Sequence, residues 1–457
     1  MRSLFLAGDE KALVPVIRFG SEVHIKEGVT MQVWREMERE GMEELVFCYD
    51  PSSGLKAIIA IHNTALGPAL GGCRCWTYVS EEEAIRDAVK LAKGMTYKNA
   101  MAGLPYGGGK AVIWDVAGAC EQMKAASGMD ERGDGVMAGT AMDDLGDAML
   151  AGSKMREQTE ETKANTRTDS QSSDTAQARI VMNVQGDAML AASTLDVRAL
   201  RFRALGRCLE RLNGRFVTGL DLGTTASDMD QIRVETTYVT DTTGSLGAKD
   251  DFTADMTAYG VYIGIVTSLR HQGVAALQGN PVAVQGLGKV GYALCRYLHA
   301  AGARLIVADV VPERVQRALV QFSGAISADP ARIHAADCRV FAPCALGGVI
   351  TPATAEELRC SIVAGAANNQ LHGGQLVARR MQARGILYAP DYVLNAGGII
   401  STACELQGAG PDLIRQKVAG IAGTLSQVYT EAVRSGISTL EAADRLAEAI
   451  LRTGRAE

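Results

Sequence analysis

The chain reads as an α/β protein, with an N-terminal α/β unit followed by a doubly wound parallel-sheet unit. Three observations predict this. From Pro281 the sequence alternates "PVAVQ", "GYALCRYLHAAG", "RLIVADV", "ERVQRALVQF", "CRVFAPC", "AEELRC", "SIVAGAAN" and "GILYAPD". Short apolar strands separated by helical segments make a parallel sheet with crossover helices. A glycine-rich turn joins the first strand to the first helix. The length, 457 residues, exceeds one ordinary core, so two or three domains are expected.

The elements follow in order. Met31 to Leu45 has the pattern of an amphipathic helix, and "LKAIIAIHNTALG" (Leu55 to Gly67) reads as a buried strand ending in a turn. Ser80 opens a second helix. Ser80 and Glu83 have capping-box spacing, and Ile85, Val89 and Ala92 share a face. "KAVIW" is the next strand. From Val116 to about Thr194 the chain is rich in Ala, Gly, Met, Asp, Ser and Thr and includes "TEETKANTRTDSQSSDTAQ". It reads as an inserted, poorly ordered segment. "GDAMLAGS" and "GDAMLAAS" within it are near-copies, but two copies do not make a solenoid. "LDVRALRFRALGRCLERL" is a helix with Leu200, Leu205 and Leu209 recurring, "GRFVTGLDLGTT" a strand entering a glycine turn, and "MTAYGVYIGIVTSLRHQG" a helix. The tail reads as two long amphipathic helices.

Composition narrows the function. The chain is 47% hydrophobic and 21% charged, with net charge −6 and no basic block. Neither a nucleic acid nor an anionic membrane is expected as partner, and no apolar run is long enough to cross a bilayer. Asp9, Glu10 and Lys11 interrupt the apolar N-terminus, which argues against a signal peptide and for a cytoplasmic protein. Ten cysteines form no CxxC pair and no His cluster accompanies Cys73 and Cys75, so no metal site is expected and the thiols act as small buried hydrophobes.

"PVAVQGLGKVGYALCRYLHAAGARLIVADV" carries the clearest motif. Gly286, Gly288 and Gly291 form GxGxxG at the mouth of a helix. The first glycine allows the tight turn, the second lets backbone approach a pyrophosphate, and the third lets helix and strand pack closely. Leu287, Lys289 and Val290 complete the turn. The helix N-terminus offers free N–H groups and a positive dipole end to phosphates. Asp309, at the tip of the second strand, would accept from the ribose hydroxyls and repel a 2′-phosphate. NAD is therefore expected over NADP, a preference that Arg314 weakens slightly.

"GMTYKNAMAGLPYGGGKAVIW" places Lys98 and Lys110 twelve residues apart, with Gly107, Gly108 and Gly109 before the second. A phosphate loop needs glycine six residues before the lysine and Ser or Thr after it. Leu104 and Ala111 stand there, so that reading fails. Two ammonium groups in one cleft, further burdened by burial, drive a lysine pKa toward neutrality, as a general base requires. Two structural lysines on separate faces is the alternative. On the first reading the triple glycine gives backbone room for a substrate.

Here the sequence resembles the amino-acid dehydrogenases acting on glutamate, leucine, phenylalanine and valine, closest to the leucine and phenylalanine branch. The resemblance rests on "GLKAIIAIHNTALGPALGGCRCWTY", "AKGMTYKNAMAGLPYGGGKAVI", "GRFVTGLDLGTT", "TAYGVY", "VQGLGKVGYA", "FAPCALGG", "VAGAANNQL" and "ILYAPDYVLNAGGII", in the family's order. It implies a substrate and oligomerisation domain over 29–250 after an extension at 1–28, with 116–196 inserted. A Rossmann dinucleotide domain would span 251–400, and helices over 401–457 would pack back on the first domain. It also implies a cleft that closes between domains, and a homo-oligomer. By the resemblance Lys110 is the catalytic base, Lys98 holds the substrate carboxylate, Asp221 assists proton transfer, and Asn395 meets the substrate. Gly71, Gly72, Met95 and Val428 also fall at substrate positions. Arg74, Thr253, Thr257, Cys344, Ala345 and Asn368 fall at positions lining the cofactor.

The reaction implied is NAD-dependent oxidative deamination of an L-amino acid to its 2-oxo acid. Gly219 and Leu425 match two wall positions, and both are of the type found in phenylalanine enzymes. Glycine removes a methyl where a ring edge fits. An aromatic substrate is therefore expected, with leucine or valine as alternative. Cys404 stands where the family usually carries an acid. The rival class is a non-catalytic NAD-binding scaffold whose insert serves a partner.

Overall fold

The computed structural model describes residues 33–115, 197–249 and 251–454, together with the backbone of the antiparallel pair Val23–His24 and Thr30–Met31. The 1–28 extension, apart from that pair, and the 116–196 insert lie outside the described residues.

A five-stranded sheet forms first: β1 (Glu44–Asp50), β2 (Leu55–Asn63), β3 (Ala69–Trp76), β4 (Gly107–Trp114) and β5 (Phe216–Leu220), in spatial order β1-β2-β4-β3-β5. β3, β4 and β5 run parallel, while β1–β2 and β2–β4 are antiparallel. The helix expected over 31–45 is shorter. α1 covers Val33–Glu40 and ends at Gly41, whose φ of +72° is left-handed, and β1 starts at Glu44. α2 (Glu81–Met101) starts at Ser80, whose hydroxyl accepts from the Glu83 N–H at 3.2 Å. The Glu83 carboxylate reaches the Val79 N–H at 2.8 Å rather than that of Ser80, so the capping box closes one residue early.

Each face of this sheet has its own core. Ile58, Ala60 and Val112 pack with Ala84, Ile85, Ala88 and Val89 of α2. Ile59, Ile61, Ala111, Ile113 and Phe216 pack with Phe202, Leu205 and Leu209 of the helix over 197–211, α3. Leu200 of that helix is exposed. After α4 (Ala226–Arg233) and α5 (Phe252–His271) comes a six-stranded, all-parallel sheet. Its strands are β6 (Pro281–Gln285), β7 (Arg304–Ala308), β8 (Ile326–Ser327), β9 (Val340–Pro343), β10 (Ile362–Val363) and β11 (Leu387–Tyr388), in order β8-β7-β6-β9-β10-β11. The chain starts at the centre, winds to one edge and returns to the other. This is the doubly wound arrangement, with its switch point at the β6/β9 crevice.

α6 (Lys289–Ala300) and α7 (Pro312–Gln321) follow β6 and β7, and α8 (Gln375–Ala383) precedes β11. The first of the two tail helices is broken at Gly420 into α10 (Pro411–Ala419) and α11 (Ile421–Ser435), after α9 (Gly397–Leu406). α12 (Thr439–Thr453) lies along α2, where the Tyr97 hydroxyl donates to Glu448 at 3.2 Å. Both sheets and helices α9 to α12 belong to one compact unit.

Candidate active site

The floor of the site is a glycine row. In the β3–β4 register, Leu70 pairs with Gly108 and Cys73 with Ala111, so Gly72 lies beside Lys110. Gly72 pairs with Gly219 across β3–β5. Registered neighbours in a parallel sheet point the same way, so Lys110, Gly72 and Gly219 share the face covered by α2. Side chains at 72 and 219 would block that face. A Cβ on Gly72 would stand 2.8 Å from the Asp221 Cβ.

Lys110, only 4% exposed, reaches Asp221 Oδ2 at 2.9 Å. The same oxygen accepts from Arg74 Nε at 3.0 Å. Among the described residues Oδ1 of Asp221 accepts no hydrogen bond, which leaves it open toward an incoming donor. Burial works against the Asp221 charge, but Lys110 and Arg74 outweigh it and hold the carboxyl well below the usual carboxylate range. Asp221 is thus a fixed anion.

Arg74, expected against the cofactor, has its guanidinium on two carboxylates. Besides Asp221, it donates through Nη1 to Asp87 at 3.0 Å, and the Tyr78 hydroxyl donates to Asp87 at 2.6 Å. Asp87 was not anticipated. Its signal in sequence is an acid on the apolar face of α2, three residues after the buried Ala84.

Lys98 is half-buried, and its ammonium donates to Asn368 Oδ1 at 3.3 Å. Burial, reinforced by Lys110, pushes Lys98 down to about 8 in spite of Asp391 and Asp221. The depressed ammonium expected of the lysine pair is therefore found at the residue read as the carboxylate anchor. Asn395 donates to the same Asn368 oxygen at 2.7 Å and to Ala366 O at 3.1 Å. Its own Oδ1 is buried without a donor, an acceptor placed for a ligand N–H. Asp391 supports this corner, accepting from the Gln370 and Tyr392 N–H groups at 2.9 and 2.7 Å.

The triple glycine does not provide substrate room. A Cβ at Gly107 would fall 2.0 Å from Asn63 O, at Gly108 2.0 Å from Thr96 N, and at Gly109 2.7 Å from Phe216 Cδ2. The run lets β4 pack directly under α2 and over Phe216, which carries Lys110 into the interior. Gly71 is as tight, 1.9 Å from Gly109 O and 3.3 Å from Met95 Cγ. Gly219 is also corrected. Its missing methyl leaves space for Asp241 Oδ2 and Thr240 Oγ1, which stand 2.4 and 2.5 Å from where a Cβ would be. The space is filled by protein, so it is no slot for a ring edge. Leu425 and Val428 are fully buried in the apolar cluster that includes Met101, Val261 and Leu394.

The turn after β6 fits a dinucleotide. Gly286 has φ +93°, and a Cβ there would strike Ala345 at 2.6 Å. A Cβ on Gly291 would lie 1.9 Å from Gly286 O, whereas Gly288 faces nothing within 4 Å. The tight turn, the open approach and the close packing thus fall to the three glycines in that order. Gly288 caps α6 without a side chain on its N–H groups. Asp309 accepts from Leu287 N at 2.6 Å and Val311 N at 2.9 Å, with Arg314 Nη1 3.6 Å away. Leu287 and Val290 point into the core and so offer only backbone here, while Lys289 pairs with Asp251 at 2.7 Å. Cys344 lies beside this turn, its N–H on Gln285 O at 2.7 Å, and burial pushes its thiol up to about 12. The Thr253 and Thr257 hydroxyls donate to Gly247 O and Thr253 O, both at 2.9 Å.

A glycine turn shaped for a dinucleotide on one sheet and a buried lysine–aspartate pair on another are the parts of an oxidoreductase. Comparison with known proteins narrows the class. The family described as "Glu/Leu/Phe/Val dehydrogenase, dimerisation domain" matches residues 43–126, and "Glutamate/Leucine/Phenylalanine/Valine dehydrogenase" matches 247–310 and 313–452. The chain is 42% identical to leucine dehydrogenase from Bacillus subtilis, over 92% of this chain and 93% of that protein. It is 36% identical to valine dehydrogenase from Streptomyces albus, over 92% and 94%. The crystal structure of L-tryptophan dehydrogenase from Nostoc punctiforme superposes with a TM-score of 0.67 at 34% identity, over 92% of this chain and 99% of that one. The chain belongs to the Glu/Leu/Phe/Val dehydrogenase family. It is an amino-acid dehydrogenase.

Proposed function

We propose that the protein catalyses the reversible NAD-linked oxidative deamination of a branched-chain L-amino acid. The observations that carry the chemistry are the buried Lys110–Asp221 pair and, in electrostatic reach of it, Lys98 joined to Asn395 through Asn368 Oδ1. The branched-chain preference is supported by the leucine and valine dehydrogenases among the relatives. The aromatic preference read from Gly219 has lost its physical ground, because Asp241 occupies that space. An aromatic substrate remains the second reading, favoured by the likeness to the tryptophan enzyme.

In this reading L-amino acid, water and NAD+ give 2-oxo acid, ammonium, NADH and a proton. The bound dinucleotide would accept the Cα hydride. Gly286 to Gly291 and Asp309 would hold it, and the Asp309 carboxylate favours NAD by disfavouring a 2′-phosphate. Lys98 pairs with the substrate carboxylate and orients the Cα–H, a positioning effect. Asp221 Oδ1 accepts from the substrate amino group. Lys110, in its unprotonated form, takes a proton from the water that attacks the imine carbon, and Asp221 holds the Lys110 Nζ in place. Homo-oligomerisation through the N-terminal domain is part of this reading, in line with that domain's family description. So is a cytoplasmic location, in line with cysteines that act mostly as small buried hydrophobes.

The test is NADH formation with L-Leu, L-Val, L-Phe and L-Trp. The highest kcat/KM is expected with L-Leu or L-Val, and NADP should be a poor substitute. Lys110→Ala should abolish turnover while NADH binding, followed by its fluorescence, persists. Near-normal activity in that variant refutes the role given to Lys110.

A further inference from the structure

We infer that Asp241, on the segment after α4, is a specificity-determining residue that forms the wall of the substrate pocket beside Asp221. The inference rests on the function proposed above, and it starts from the glycine row. Gly219 sits two residues before Asp221 on β5 and faces the same side of the sheet, in the row of Lys110. Whatever fills the volume above Gly219 therefore borders the reacting groups. That volume holds the Asp241 carboxylate, 2.4 Å from the Cβ that residue 219 lacks.

Asp241 is built into this position. It is 7% exposed and has a left-handed φ of +56°, which non-glycine residues seldom adopt. Its Oδ2 accepts from Leu220 N at 2.9 Å and from Thr240 Oγ1 at 3.1 Å. Oδ1 accepts from Thr402 Oγ1 of α9 at 3.5 Å. A second glycine makes room on the far side, since a Cβ at Gly247 would lie 2.7 Å from Oδ1. Two bare glycines and a strained backbone thus admit one side chain. The consequence is that residue 219 does not set the pocket size alone. The pair 219/241 does, and the two positions exclude each other's bulk.

A double-mutant cycle tests this. Gly219→Ala alone should sharply lower kcat/KM for every substrate, because the new methyl meets Oδ2 and Thr240 Oγ1. Asp241→Gly suits the positive φ and empties the wall. It should raise the Phe/Leu ratio of kcat/KM by about tenfold, the scale of removing a few atoms from a pocket wall. Gly219→Ala/Asp241→Gly should recover activity over Gly219→Ala and bring the ratio back toward wild type. Asp241→Asn keeps the volume and should keep the ratio whatever its rate, which covers the case that Asp241→Gly does not fold. An unchanged ratio in Asp241→Gly, additive single effects, or a ratio shifted in Asp241→Asn overturns the proposal. Wild-type enzyme inactive on all four amino acids would instead sink the proposed function, so the two failures are distinct.

Discussion

Lys98 gives the sharpest test of the site's electrostatics. Its ammonium falls from an ordinary 10.5 to about 8, through burial and the neighbouring Lys110. With a pKa near 8 the free enzyme keeps this charge at pH 6, but only about one molecule in eleven keeps it at pH 9. The sign follows from the role. In the role proposed for it, Lys98 grips the substrate carboxylate only when protonated, so kcat/KM for the amino acid should fall about tenfold per pH unit above 8. In the enzyme–substrate complex the carboxylate favours the charged lysine, which moves the corresponding limb of kcat to higher pH. Lys98→Arg keeps its charge across this range. Its kcat/KM is expected to be lower at pH 7, where guanidinium geometry differs, and to lack the limb near pH 8. Initial rates from pH 6 to 10 at fixed ionic strength, for both enzymes, decide the matter. The substrate amino group titrates equally in both and cancels in the comparison. A wild-type kcat/KM level to pH 10, or an unmoved limb in Lys98→Arg, would refute the reasoning.

The glycines separate folding from binding. Gly288→Ala puts its methyl into open space, so thermal stability should hold while NADH affinity falls, as fluorescence titration would report. Gly291→Ala drives a methyl into Gly286 O and should lower Tm outright. Gly108→Ala meets the α2 backbone at Thr96, and the cost should exceed about 3 kcal/mol, the upper end of ordinary overpacking. Denaturant titration, or loss of soluble protein, would show it. Asp444 accepts from Tyr392 Oη at 2.9 Å and Gln375 Nε2 at 2.8 Å, and burial raises it to about 6. A raised carboxyl gives stability that is present at low pH and lost as pH rises through 6. Asp444→Asn should therefore gain Tm relative to wild type at pH 8 more than at pH 5. An equal shift at both would exclude this titration.

The dinucleotide turn was legible because its rules are local. Gly286, Gly288 and Gly291 each have one backbone reason, and strand, turn and helix are contiguous in sequence. The doubly wound sheet was legible for the same cause, since β6, β7, β9, β10 and β11 each announce themselves as a short apolar run, whereas the two-residue edge strand β8 is exposed and carries no such signal. What escaped was non-local. Nothing at Gly107 to Gly109 says that Thr96, Asn63 and Phe216 will close on them, and from the sequence alone the run reads as room for a ligand. Gly219 failed in the same way, because its neighbour Asp241 arrives from twenty-two residues later through a turn. Arg74 could be placed at the site, but its two acids, Asp221 and Asp87, lie on elements that only the fold brings together. Helix ends at Gly41 and Gly420 were missed where a single glycine broke an otherwise continuous amphipathic pattern.

The bare floor beneath Lys110 bears on how such a protein can change over time. A Cβ at Gly71, Gly72, Gly107, Gly108 or Gly109 would strike neighbouring backbone or ring atoms, so almost any mutation there is lost to misfolding before selection can act on catalysis. On the pocket proposed above, drift in substrate preference would therefore enter from outside the sheet, through the turn at Thr240 and Asp241 or the helix bearing Leu425. In that reading the catalytic pair rides on main chain that tolerates little change, and the choice of substrate falls to segments outside the sheet.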